Sequence, residues 1–206
     1  LMATDLEQED ESDPLPDLLS QNPIDGSVEG VGLSDTLTEE QKADCRRVLS
    51  QFQDLFSLTP SQTTWCTHEV DTGSALPVKN KVYRQPTHVR DCIQAEVSKM
   101  LDLGVIEPST SPWASPVVLV PKPHMKDGKR EMRFCVDYRG LNTVTKSDAH
   151  PLPRADELID MLAAAKYLST FDLTAGYWQI KMSEDAKPKT AFTTPSGLYQ
   201  FTVMPF

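Results

Sequence analysis

The segment LSTFDLTAGYWQI, residues 168–180, constrains this chain more than any other stretch of its sequence. Residues 168–171 are predicted to form a short apolar strand that ends at the carboxylate of Asp172. A turn of small residues follows, and the bulky Tyr177 comes after it. A carboxylate fixed at a strand end can bind a metal ion, and a small-residue turn leaves backbone N–H groups free for phosphate oxygens. The segment therefore predicts half of a nucleotide-binding site.

The negative charge of the chain is concentrated at its N-terminus. The formal net charge of the 206 residues is -10, but residues 1–40 contain 12 Asp or Glu and no Lys or Arg. That distribution leaves 18 of the 30 acidic residues and all 20 basic residues in 41–206. The body of the chain is thus close to neutral, and its charge does not exclude a nucleic-acid partner.

Three regions follow each other along the chain. Residues 1–36 are acidic and rich in Pro, Ser and Gly without periodicity, which predicts a disordered tail. Residues 37–86 are predicted to be a lead-in helix and an extended linker, and a capping box formed by Thr38 and Gln41 begins that helix. Residues 87–206 contain the other predicted elements.

The predicted elements of the third region mix helices with hairpins, which is typical of an α+β fold. We expect, in chain order, a helix over about 86–104, a hairpin over 116–138 that turns at Asp127-Gly128, a helix over about 154–166, the strand 168–171, a strand over 177–182, and a hairpin over 190–203.

Neither the cysteines nor the apolar segments indicate secretion. The four cysteines are 21, 26 and 43 positions apart without a CxxC pair, which favours reduced thiols over a zinc site. No apolar run reaches the length of a membrane span, and the acidic first residues do not resemble a secretory signal. We therefore expect a protein of a reducing compartment that is neither secreted nor bound in a membrane.

Two basic residues of the first hairpin complement the carboxylate of Asp172. Phosphoryl transfer onto a 3′-hydroxyl needs two divalent ions held by carboxylates, together with cations on the triphosphate. Lys122 and Arg133 can supply those cations, Arg133 through two N–H groups at once and Lys122 as a point charge. Each residue also has a simpler interpretation, because a strand-end Asp often forms a turn and hairpin cations often only face solvent.

Several motifs in the same order resemble the reverse transcriptases of gypsy-type LTR retrotransposons. They are SPWASPVVLV at 111–120, RFCVDYRGLN at 133–142, FDLTAGYWQI at 171–180, KTAF at 189–192 and MPF at 204–206. The resemblance covers residues from about 38 to 206. It implies a right-hand polymerase fold, of which this chain would contain the fingers and part of the palm. It also implies RNA-directed DNA polymerase activity within a retrotransposon Pol polyprotein.

The resemblance implies a role for each residue of the nucleotide site. Asp172 would bind both metal ions, assisted by the backbone carbonyl of Leu173. The ions would be Mg²⁺, with Mn²⁺ as the alternative, because carboxylates and phosphates are hard oxygen ligands. Lys122 and Arg133 would hold the incoming triphosphate.

The turn and the last residue would complete that site. By the same resemblance, the N–H groups of Ala175 and Gly176 would also contact phosphate. Tyr177 would lie under the sugar and obstruct a 2′-hydroxyl, the group that distinguishes ribonucleotides from deoxyribonucleotides. Phe206 would line the pocket above the sugar.

The sequence lacks the other catalytic carboxylates of the family. These belong to a Tyr-x-Asp-Asp turn downstream of the Met-Pro-Phe segment, and the sequence stops at Phe206. We therefore expect a palm truncated before that motif, and no polymerisation by these residues alone. The expected partners are an RNA or DNA template with primer, deoxynucleoside triphosphates, and the remaining Pol domains (the rest of the palm, the thumb, ribonuclease H and integrase). An alternative is a catalytically dead remnant that only binds nucleic acid.

A second motif points to a different enzyme class. Asp71-Thr72-Gly73 matches the active-site triplet of aspartic proteases, in which two carboxylates share a proton. Such a triplet needs apolar strands around it, whereas His68 and Glu69 precede it here and Pro77 follows. The protease is therefore the weaker hypothesis.

Overall fold

The computed structural model of the chain describes residues 28–57, 60–126 and 129–206, with the backbone alone for 122–126 and 129–131. The chain divides into two compact units between Thr59 and Pro60. Most of the predicted disordered tail, residues 1–27, lies outside the described residues. Residues 28–36 include a 3₁₀ turn, Val28–Gly30, in which Val28 is buried.

The first unit contains helix α1, Glu39–Ser50, and its predicted capping box is confirmed. The N–H of Gln41 donates to the Thr38 hydroxyl oxygen at 3.2 Å, and the N–H of Thr38 donates to Gln41 Oε1 at 2.9 Å. These two bonds satisfy N–H groups that a helix start leaves without a partner. A 3₁₀ turn, Gln53–Leu55, follows the helix.

The second unit is built on a five-stranded sheet in the order β2-β7-β6-β3-β4. Its strands are β2 Ile106–Pro108, β3 Ser115–Lys126, β4 Lys129–Val136, β6 Phe192–Thr194 and β7 Gly197–Phe201. Strands β3 and β4 pair antiparallel, as do β6 and β7, which confirms both predicted hairpins. The predicted turn residues 127–128 lie outside the described residues. Strand β6 joins β3 in parallel.

A two-stranded parallel ladder joins β1, Thr67–His68, to β5, Lys181–Met182. The predicted strand over 177–182 was wrong for most of its length, because a 3₁₀ turn, Gly176–Gln179, comes before β5. The predicted strand over 168–171 was also wrong. That segment is exposed and pairs with no strand in the part of the chain that the structure describes.

Helix α2, Thr87–Asp102, begins after Pro86 as expected and covers the sheet. Gly104, with φ of 68°, follows its end in the left-handed conformation that glycine adopts at low cost. A short helix α3, Arg139–Asn142, was not predicted. Helix α4, Ala155–Ala163, starts where expected but ends before residue 166, and none of its residues is buried.

The core lies between α2 and the sheet. Its buried residues come from α2, from the sheet and from the segments beside them: Ile93, Val97, Met100, Val105, Ile106, Val117, Phe192, Phe201 and Val203. A smaller cluster surrounds Trp113, which is 7 % exposed and therefore a packing anchor. Within the described residues, no helix is both long and apolar enough to cross a membrane.

Candidate nucleotide and metal site

Asp172 lies in an exposed segment without regular structure, directly before the tight turn of residues 174–175. The carboxylate is therefore presented by a turn rather than by a strand end, and solvent reaches it. Leu173 beside it is 67 % exposed, so ligands can also approach this stretch of backbone. Among the described residues there is no group of three or more His, Cys, Asp or Glu side chains that could hold a metal ion. Asp172 thus offers a single hard oxygen donor.

The turn after Asp172 has an unusual backbone. Ala175 adopts the left-handed conformation, with φ of 47° and ψ of 52°. Its carbonyl accepts from the N–H of Trp178 at 2.8 Å, and the Thr174 carbonyl accepts from the Gln179 side chain at 3.0 Å. A Cβ at Gly176 would lie 3.2 Å from the Cβ of Leu173, so a side chain there would crowd the turn. The geometry therefore favours glycine at 176, and the left-handed backbone at Ala175 is one that few non-glycine residues adopt.

Three of the predicted site residues meet although they are far apart in sequence. The rings of Tyr177 and Phe206 pack edge to face, with centroids 5.5 Å apart and an interplanar angle of 87°. The Cζ of Arg133 lies 5.8 Å from the centroid of the Phe206 ring. This contact brings β4 of the first hairpin to the turn that follows Asp172. The side chain of Lys122 lies outside the described residues, and its backbone continues β3 beyond Val120, the partner of Arg133.

Two cavities adjoin the Phe206 ring. A groove of about 790 Å³ extends from His68 past Tyr138, Asn142 and Lys146 to the ring. A smaller pocket of about 240 Å³, lined largely by apolar side chains such as Met100, Phe134 and Trp178, also contains Arg133 in its wall. The sequence predicted neither cavity, because each is assembled from segments that only the fold brings together.

Several side chains along the groove form hydrogen bonds with one another or with the backbone. The guanidinium of Arg139 forms two hydrogen bonds with the Asp137 carboxylate, at 2.8 and 2.7 Å. These bonds lower the pKa of Asp137. The Tyr138 hydroxyl donates to the Thr190 carbonyl at 2.7 Å, and burial raises the pKa of Tyr138 well above its ordinary value. These groups were not among the predicted site residues, although Asp137, Tyr138 and Arg139 belong to one recognised motif.

Asp71, the candidate protease residue, is already engaged in other interactions. Its carboxylate accepts from the Lys146 ammonium and from the N–H of Gly73, both at 2.8 Å. The carbonyl of Val70 beside it accepts from the Lys189 ammonium at 2.6 Å. An acid of the protease dyad must share a proton, whereas these contacts favour the ionised form. The geometry therefore gives the triplet a structural role in joining the lead-in segment to the groove.

The pKa of Asp71 provides a direct test of this assignment. The hydrogen bond from Lys146, followed by the one from Gly73, lowers the pKa of Asp71 below its ordinary value. A lowered pKa stabilises the fold at pH values above the unfolded-state pKa, and that contribution disappears as the pH falls through the folded-state pKa. We expect a carbon-13 NMR titration of the Asp71 carboxyl to show its midpoint below about 3.9.

Substitution of the lysine supplies the control for this titration. Lys146→Met should move the Asp71 midpoint up toward the ordinary value, while Lys181→Met, at an exposed position of β5, should leave it unchanged. A midpoint above the ordinary value in the unsubstituted protein would contradict the engaged carboxylate and reopen the protease hypothesis.

Comparison with known proteins adds to this geometry. Residues 120–206 match the family described as "Reverse transcriptase (RNA-dependent DNA polymerase)". The chain is 40 % identical over 138 residues to the retrovirus-related Pol polyprotein from transposon opus of Drosophila melanogaster. The aligned segment covers 67 % of this chain and 14 % of that protein. It is also 30 % identical over 207 residues to the enzymatic polyprotein of Cauliflower mosaic virus strain NY8153. That alignment covers 94 % of this chain and 30 % of the viral protein.

A solved structure shares the fold. The foamy viral protease-reverse transcriptase dRH, in complex with double-stranded DNA, aligns with a TM-score of 0.67 and 26 % identity over 82 % of this chain and 30 % of that one. The chain thus spans less than a third of each of these three proteins. The mixed helix and sheet architecture expected from the sequence is confirmed.

Proposed function

This chain belongs to the reverse transcriptases of retrovirus-related Pol polyproteins, and we propose that it supplies the fingers and the first part of the palm to an RNA-directed DNA polymerase of the gypsy type. The observation that carries the proposal is the contact of Arg133 and Tyr177 with one ring, that of Phe206. The resemblance assigns these residues to the triphosphate and the sugar of one nucleotide. Because Arg133 and Tyr177 contact the same ring, their positions support a common pocket for one nucleotide.

The residues around this ring would divide the work of nucleotide binding. Arg133 would bind phosphate oxygens through its planar guanidinium, and Lys122 would add a point charge. The N–H groups of Ala175 and Gly176 would contact phosphate from the turn. Tyr177 is half exposed, so its ring would be accessible to the sugar. Such binding places the nucleotide so that its α-phosphate can be attacked by the primer 3′-hydroxyl.

The exposed carboxylate of Asp172 fits a role in metal binding. A hard, solvent-accessible oxygen donor suits Mg²⁺, with Mn²⁺ as the alternative, and the Leu173 carbonyl is adjacent. When bound, a pair of such ions activates the attacking oxygen and neutralises the leaving pyrophosphate. Asp172 would supply one arm of this donor set. Carboxylates of a Tyr-x-Asp-Asp turn in the same polyprotein would supply the others.

The template and primer are the proposed macromolecular partners. They would lie across the fingers and the palm and be held mainly through the nucleic-acid backbone. Binding of this kind is expected to weaken with salt as counterions compete. Other Pol domains would complete the enzyme, in the cytoplasm within a virus-like particle or in the nucleus.

Substitution of the basic residues tests the proposed function. In the polyprotein whose reading frame carries this chain, Arg133→Ala and Lys122→Ala should each raise the KM for deoxynucleotides. We expect an increase of about 10- to 100-fold, because hydrogen bonds to charged groups contribute roughly 1.5–3 kcal/mol. The measurement is steady-state incorporation on a primed RNA template.

An arginine outside the site supplies the matched control. Arg90 is exposed on α2, and Arg90→Ala should leave the nucleotide KM unchanged. A loss of template affinity in Arg133→Ala at constant nucleotide KM would assign Arg133 to the template instead.

A further inference from the structure

We infer that Phe206 is a positioning residue that couples Arg133 to Tyr177, so that triphosphate affinity and sugar selectivity change together. The inference rests on the proposed polymerase function and deepens it. It explains how Arg133 and Tyr177, which are far apart in the sequence, keep their positions relative to each other. The observations that carry it are two contacts of a single aromatic ring.

Arg133 requires an orienting contact that leaves its charge available. A long cationic side chain on an exposed strand has many rotamers, and a productive one must be selected before a ligand arrives. Three other arginines of the described structure are oriented by acids: Arg47 pairs with Asp44, Arg139 with Asp137 and Arg154 with Asp156. For Arg133, no salt bridge with a described carboxylate is present.

The Phe206 ring can replace such an acid without neutralising the arginine. The Cζ of Arg133 lies 5.8 Å from the ring centroid, within the range of about 6 Å over which a cation is attracted to an aromatic face. An aromatic face accepts no strong hydrogen bond from the guanidinium. Since no described side chain or carbonyl accepts from the Arg133 guanidinium, its five N–H donors can bind phosphate oxygens. A carboxylate in this place would compete with the triphosphate.

The position of Phe206 depends in turn on Tyr177. Tyr177 is half exposed, and the Phe206 ring packs against it. Their perpendicular packing at 5.5 Å is a favourable geometry for two aromatic quadrupoles. The Phe206 ring also borders both cavities, the groove and the apolar pocket. A shift of Phe206 would therefore change the shape of both.

Tyr177 is held by the backbone of its turn. The left-handed Ala175 precedes the 3₁₀ turn that contains Tyr177, and the close approach of Gly176 to Leu173 leaves that turn little freedom. An unbroken series of contacts therefore runs from the turn through Tyr177 and Phe206 to Arg133. Loss of the middle ring should loosen both ends at once.

The first experiment observes the contact itself, independently of activity. The Nε–Hε resonance of Arg133 in this chain is identified by its loss in Arg133→Lys. Because an aromatic face shifts the resonances of groups above it, we expect this signal to move toward the random-coil position in Phe206→Leu and to stay displaced in Phe206→Tyr. Tyr167→Leu removes an aromatic ring that is 70 % exposed and serves as the matched control, without effect on the signal. A signal that does not move in Phe206→Leu overturns the inference.

The second experiment measures the coupling in the polyprotein. Phe206→Leu should raise the deoxynucleotide KM about threefold and lower the preference for deoxyribonucleotides, and Phe206→Tyr should restore both. In an Arg133→Ala background, Phe206→Leu should raise the KM no further. In a Tyr177→Ala background, it should not lower sugar selectivity further.

The outcomes separate this inference from the proposed function. Additive effects in these double-mutant cycles, in a protein that performs templated synthesis, overturn the coupling and leave the polymerase intact. Absence of templated synthesis by the unsubstituted polyprotein would overturn the proposed function. The inferred coupling between nucleotide affinity and sugar selectivity would then be overturned as well.

Discussion

Asp172→Asn is expected to abolish nucleotide incorporation by the polyprotein that carries this chain. The substitution keeps the size of the side chain but removes the negative charge that a divalent ion needs. Charge stabilisation by such an ion contributes several kcal/mol to the transition state, so the rate should fall by at least about 10³-fold. Single-turnover primer extension under saturating nucleotide measures this rate. Primer–template affinity, measured by fluorescence anisotropy, should change by less than about twofold, because such affinity comes mainly from basic and hydrogen-bonding groups on the phosphates.

An exposed acid elsewhere provides the control for this prediction. Asp160 lies on the exposed helix α4, and Asp160→Asn removes an equal charge without approaching the site. Its rate of synthesis should match that of the unsubstituted protein. Measurable synthesis at a normal rate by Asp172→Asn would refute the role of this carboxylate in metal binding.

Phe192→Ala is expected to cause the largest loss of stability. Phe192 is completely buried and its ring meets three others, those of Phe134, Tyr199 and Phe201, at centroid distances of 5.7, 6.1 and 5.2 Å. Truncation of such a ring leaves a cavity that the surrounding side chains cannot fill, and costs about 3–5 kcal/mol. This is a large fraction of the roughly 5–15 kcal/mol that stabilises a typical domain. Urea denaturation followed by circular dichroism measures the loss.

Two further variants keep this prediction testable should Phe192→Ala not fold at all. Ile93 is also fully buried, and Ile93→Val should cost about 0.5–1.5 kcal/mol. Phe171 is 70 % exposed, and Phe171→Ala should alter the free energy of unfolding by less than about 0.5 kcal/mol. Equal losses from Phe171→Ala and Phe192→Ala would contradict the described core.

Local signals in the sequence predicted the elements whose stability is local. The capping box at Thr38 marked the start of α1, because its two hydrogen bonds join residues only three positions apart. The Asp127-Gly128 turn signal and the alternating residues of the returning strand predicted the β3–β4 hairpin for a similar reason. The start of α2 after Pro86 and its termination near Gly104 also follow from properties of single residues.

The predictions that failed depended on distant partners. Residues 168–171 are apolar enough for a strand, but a strand requires a neighbouring strand for its hydrogen bonds, and the described residues place none beside them. Strand β2 was not predicted because its three residues become a strand only by pairing with β7. Helix α3 is a single turn, which periodicity cannot identify.

In the candidate site, too, contacts between residues distant in sequence could not be predicted from local signals. Resemblance to a family placed Arg133, Tyr177 and Phe206 in one pocket, whereas their spacing along the chain carries no sign of contact. The pairing of Asp71 with Lys146 was not foreseen, because 75 positions separate the two residues. The Asp71-Thr72-Gly73 triplet resembles a protease motif, but in the structure its carboxylate pairs with Lys146, which only the fold brings near.

The parallel pairing of β3 with β6 affects how the protein is made. A parallel pair needs a long connection, and here the core cannot close until Val203 joins Ile93, 110 positions earlier in the chain. At about 5–20 residues per second, a ribosome needs roughly 5–20 s to cover that distance. During much of this interval only the earlier strands β2, β3 and β4 are available to cover the apolar face of α2. We therefore expect the nascent chain to require chaperones that shield exposed helices until synthesis passes β7.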